Sequence, residues 1–81
     1  MIDDKTLTNV FNHPITSKVF LYLRQHKEPS GVRDIQRNLH LGSSSTSYWH
    51  LNKLLELGVV RQVSGNKYLL QEEYFDVKKF P

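Results

Sequence analysis

Cysteine is absent from the 81 residues, and methionine and tryptophan occur once each. Without a thiol there is no disulfide framework, no thiolate metal site and no cysteine nucleophile, and the lack is consistent with a reducing, intracellular compartment. Long apolar runs are missing too, since none approaches the ~20 residues that a bilayer crossing needs. The opening Met1-Ile2-Asp3-Asp4-Lys5 lacks the basic and apolar regions of a signal peptide, so a cytoplasmic protein is expected. The four histidines, His13, His26, His40 and His50, show no metal-ligand spacing, and no metal or other cofactor is expected. Neither a Gly-rich phosphate loop nor a paired-carboxylate arrangement nor a nucleophile elbow occurs, so the chain reads as a non-enzyme without catalytic residues.

What is present has ordinary globular proportions, 38% hydrophobic and 23% charged, and the length suits one domain with a small core. The net charge of +3 suits a polyanionic partner without demanding one. Its distribution is more informative. Over residues 31–63 the cations Arg33, Arg37, Lys53 and Arg61 face only Asp34 and Glu56, whereas from Ser64 onward Lys67, Lys78 and Lys79 are balanced by Glu72, Glu73 and Asp76.

Periodicity divides the chain. Residues 3–11 suit a short opening helix carrying Leu7, Val10 and Phe11, broken by Asn12-His13-Pro14. From Ile15 the spacing of Ile15, Val19, Tyr22 and Leu23 predicts an amphipathic helix that ends by Glu28-Pro29-Ser30-Gly31. A third helix is expected over about 33–40, with Ile35 and Leu39 inward, and Leu41-Gly42-Ser43 as the turn. A fourth follows over about 44–57, with Leu51, Leu54 and Leu55 as its apolar stripe and Gly58 as its stop. Two β-prone runs, 59–63 and 67–70, flank Ser64-Gly65-Asn66 and predict a hairpin.

The fourth helix is the most informative segment. At about 100° per residue, Ser47, Leu51, Leu54, Leu55 and Gly58 fall inward, which leaves Ser45, Trp49, Asn52, Lys53 and Glu56 outward. An α-helix fits the major groove of DNA, where base pairs expose distinguishable donors and acceptors, and such a reader needs small or polar residues on its free face. Ser43, Ser44 or Thr46 can cap the helix or bond a phosphate, and Ser47 is small where two helices must approach closely. Trp49 suits stacking on a sugar or meeting a thymine methyl, or else burial against a neighbouring element. Asn52 matches adenine, and Lys53 reaches phosphate or guanine. Tyr48, on the flank, is expected at the core edge.

The ordered set Val32-Arg33-Asp34-Ile35-Gln36-Arg37-Asn38-Leu39, then Ser43-Ser44-Ser45-Thr46-Ser47-Tyr48-Trp49-His50-Leu51-Asn52-Lys53-Leu54, then Leu57-Gly58-Val59-Val60 resembles the ArsR-like winged helix-turn-helix regulators, particularly archaeal ones. The resemblance covers about half of the chain, and the order of elements extends it over 14–70. It implies a mainly α fold with a small β-hairpin: a single domain 1–81, with the helix-turn-helix at about 32–58, the wing at about 59–70 and a tail 71–81. It further implies a homodimeric transcriptional regulator that binds double-stranded DNA, with helix 44–57 in the major groove and wing residues 61–68 on backbone or minor groove. Arg33 and Arg37 would then lie near the phosphates, as would Arg61, Asn66 and Lys67 around the wing tip. Metal sensing, known in parts of this family, finds no ligand set here. His50 is expected to be structural or to contact phosphate.

Alternatives remain open at this level: a winged helix serving as a protein-protein module, one that binds RNA, or the cytoplasmic part of a membrane-tethered regulator whose basic flank is Lys78-Lys79. The apolar residues of the two ends, Leu7, Val10 and Phe11 with Tyr74, Phe75, Val77 and Phe80, need a partner. That partner is either a dimer mate or the first long helix.

Overall fold

The computed structural model describes residues 4–76. These form α1 (Asp4–Phe11), α2 (Pro14–Gln25), β1 (Ser30–Gly31), α3 (Val32–Asn38), α4 (Ser44–Glu56), β2 (Val60–Val63), β3 (Lys67–Leu70) and a closing 3₁₀ turn (Glu72–Asp76). The fold is mainly helical, with one small antiparallel sheet of order β1-β3-β2. None of the described helices is long and apolar enough to cross a membrane.

Local chemistry sets the boundaries. His13 takes an extended backbone ahead of Pro14, which opens α2 with the φ that its ring imposes. At the start of α3 the Gly31 N–H donates to the Asp34 carboxylate at 3.3 Å. Ser43 caps α4, its Oγ accepting from the Thr46 N–H at 3.2 Å.

Both α3 and α4 close with paired carbonyl bonds around a left-handed residue. Leu41 N donates to Gln36 O and His40 N to Arg37 O around His40, at φ 56°. Val59 N donates to Leu54 O and Gly58 N to Leu55 O around Gly58, at φ 74°. The first of these closures ends α3 at Asn38 rather than at His40, because the chain must already be turning at Leu39 to satisfy the last carbonyls.

The sheet has one strand more than the predicted hairpin. Ser30 pairs with Tyr68 and Gly31 with Lys67, so the stretch read as a helix breaker is also an edge strand on β3. Two residues without periodicity carry no strand signal; only the partner strand supplies it. The hairpin itself runs from Val60 opposite Leu70 to Val63 opposite Lys67, with Gly65 and Asn66 both left-handed in its turn.

The core is a single cluster in which Leu7, Val10, Val19, Phe20, Leu23, Ile35, Leu51, Leu54, Val59, Val60, Tyr68, Leu70 and Tyr74 are buried. Phe20 is its hub, edge-on to Phe11 at 5.4 Å and to Tyr74 at 6.3 Å between ring centroids. The apolar residues of α1 and of the 3₁₀ turn therefore find their partner within the chain, as Phe75 does by packing on the cluster. Val77 and Phe80, which the sequence grouped with them, lie outside the described residues, as do Lys78 and Lys79.

The buried face of α2 is Thr16, Val19, Phe20 and Leu23, while Ile15 is 37% exposed and Tyr22 half-buried. The expected stripe through Ile15 and Tyr22 is thus rotated toward Thr16 and Phe20. The reason lies in α4, where the Thr16 hydroxyl meets a buried partner.

Candidate nucleic-acid interface

α4 packs against α2, α3 and β2. Its inward side is Ser47, His50, Leu51 and Leu54, all buried. Its outward side carries Ser45, Tyr48, Trp49, Asn52 and Glu56, all exposed, with Lys53 half-buried on the flank. Each outward residue lies three or four positions from the next along the row, apart from the adjacent pair Tyr48 and Trp49, so the five form one stripe along the axis. Tyr48 at 52% and Trp49 at 54% exposure are, with Ile15, the large hydrophobic side chains left open among the described residues. The core-edge expectation for Tyr48 is corrected: its spacing from Ser45 and Asn52 already places it on the outer row.

His50 supports this row from behind. Its Nδ1 lies 2.7 Å from Thr16 Oγ1, a buried bond that joins α4 to α2, and its ring stands edge-on to that of Trp49 at 4.8 Å and 84°. Burial, and secondarily the charge of His13, hold the imidazole below its usual range, so the neutral ring is favoured inside the fold. The role is structural. Thr16 carried no signal in the sequence, because its partner is 34 positions away. The Tyr68 phenol is pushed up by burial, with Tyr48 adding a smaller push of the same sign.

The serine run divides by role. Ser43 Oγ is engaged by the Thr46 N–H and lies 3.0 Å from the Thr46 hydroxyl, Ser44 is half-buried, and Ser45 stands free on the outer row. Ser47 is fully buried, and its Oγ has no hydrogen-bond partner, which fits a residue chosen for size at a helix crossing.

On α3, Arg33 and Arg37 are exposed and share a shallow depression with Gln36, His40 and Leu41. Arg37 donates to Asp34 at 2.9 Å, a surface pair that partly offsets its charge.

The hairpin separates its cations. Lys67 pairs with Val63 next to the turn, where Gln62 Nε2 donates to Asn66 Oδ1 at 2.9 Å and steadies the tip. Arg61 pairs with Leu69 on the sheet face opposite the one that buries Val60, Tyr68 and Leu70. It lines a depression with Lys27, Glu72, Phe75 and Asp76, so acidic groups share its surroundings.

Among the described residues no three His, Asp or Glu side chains gather as a metal-binding group. Set against family models, curated proteins and solved structures, the chain has no match.

Proposed function

We propose that the chain is a winged helix-turn-helix domain of the ArsR-like type that binds double-stranded DNA, with α4 in the major groove. The observation that carries this reading is the division of α4 into a buried face and an open stripe of small, polar and aromatic side chains. A helix held in this way presents a row of about the width that the major groove accepts. The order of elements supports it: helix, short strand, two helices joined by a tight turn, then a hairpin whose inner strand pairs with the short one.

Arg33 and Arg37 on α3 and Lys67 beside the hairpin tip are the cations that would meet phosphates, while Ser45, Trp49 and Asn52 would meet base edges. In a two-fold dimer two copies of α4 would read half-sites about one helical turn apart. Leu7, Val10 and Tyr74 are committed to the chain's own core, so the dimer contact would lie elsewhere.

The test is titration of the protein with duplex DNA over a range of salt concentrations, with single-stranded RNA as comparison. Duplex binding that weakens steeply with salt supports the reading, with Asn52→Ala costing about 1–3 kcal/mol on a duplex selected from a random pool. The open Ile15, Tyr48 and Trp49 favour a second reading, a protein-docking module. Absence of duplex binding at low salt would favour that one.

A further inference from the structure

We infer that the outer row of α4 reads A·T base pairs, and that Tyr48 and Trp49 recognise thymine by its C5 methyl group. The inference rests on the reading of α4 as a groove-inserted helix and goes on to name what that helix discriminates.

The row is defined by what it holds and by what it lacks. Its two largest members are aromatic rings more than half exposed, flanked by the neutral Ser45 and Asn52. Among the base edges of the major groove the apolar group is the thymine methyl, and an exposed ring gains by covering it. Adenine, the partner of thymine, presents the N6 donor and N7 acceptor that a carboxamide such as that of Asn52 matches with two bonds.

Guanine calls for a cation with two donors. α4 has no arginine, and Lys53, its one lysine, sits half-buried off the row. The acceptor suited to cytosine is Glu56, which stands two turns beyond Trp49 in the last turn, whereas base contacts of a groove helix concentrate toward its N-terminus.

Trp49 is also held in place. Its ring rests edge-on against His50, itself bonded to Thr16, so part of the ordering cost of binding is met before the partner arrives.

The experiment uses four duplexes of equal length at one ionic strength: alternating dA-dT, the same with dU for dT, alternating dG-dC, and the same with 5-methylcytosine. The expected result is about fourfold weaker binding for each contacted methyl lost in the dU duplex, and tighter binding where 5-methylcytosine restores it. Tyr48→Ala and Trp49→Ala, singly and together, should shrink both differences while far-UV circular dichroism and thermal midpoint stay near those of the parent. Equal binding of the dT and dU duplexes, with salt-dependent duplex binding intact, overturns this inference and leaves the DNA reading standing. A methyl effect that survives in the double variant overturns the assignment to these two rings. Failure to bind any duplex at low salt overturns both readings.

Discussion

α2 and α4 pack against each other and are both amphipathic, yet they place their aromatic rings on opposite sides. α2 turns Phe20 inward, where it meets Phe11 and Tyr74, and leaves Lys18 and Gln25 open. α4 does the reverse, putting the small Ser47 and the polar His50 inside and Tyr48 and Trp49 outside. A ring in the core removes apolar area from water and stabilises the fold. A ring left about half exposed contributes less to the fold, and its open face gains only when a partner covers it. The two helices thus separate what holds the domain together from what it presents.

The sharpest way to break this comparison is to truncate one ring on each helix. Phe20→Ala should cost about 3–5 kcal/mol by urea denaturation, because it removes the hub of the core cluster. Trp49→Ala should stay within about 0.5 kcal/mol of the parent, since a surface change away from caps and cavities costs little. Similar losses for both would erase the distinction.

A smaller effect is expected where the two helices meet. The His50 imidazole is held low in the fold, whereas in the unfolded chain it titrates near its ordinary value of about 6.5. Between the two values the unfolded chain binds the extra proton. Stability is therefore full above the unfolded value and is lost as pH falls through it toward the folded one, at no more than about 1.4 kcal/mol per pH unit. Urea midpoints measured from neutral to mildly acidic pH should show this decline, and His50→Gln should flatten it. A stability that rises on acidification would contradict the buried, neutral imidazole.

The mildest test concerns the hairpin, where the two cations occupy different surroundings. On the proposed DNA reading, Lys67→Ala should reduce the slope of log affinity against log salt by about 0.9, the contribution of one phosphate contact. Arg61→Ala, on the outer sheet face near Glu72 and Asp76, should leave the slope nearly unchanged. Equal reductions would mean that both cations reach the backbone.

The sequence by itself determined the order of the four helices and the hairpin and, Tyr48 apart, the outward row of α4, because both follow from local rules. Helical period and breakers such as Pro14 and Gly58 act over a few residues, and a period near 3.6 sets Ser45, Trp49 and Asn52 opposite Leu51 and Leu54 wherever the helix is placed. Tertiary structure alone decided the rest. It turned Thr16 inward and Ile15 outward, because a buried hydroxyl is tolerable where it has a partner such as His50, and that partner belongs to another helix. It made a strand of Ser30–Gly31, because two residues pair only when β3 is already beside them. It also gave Arg61 and Lys67 different surroundings on one face of the hairpin, Lys67 beside the turn and Arg61 two pairs further along near Glu72 and Asp76; burial and charge environment are properties of the assembled surface, set by residues distant in the chain.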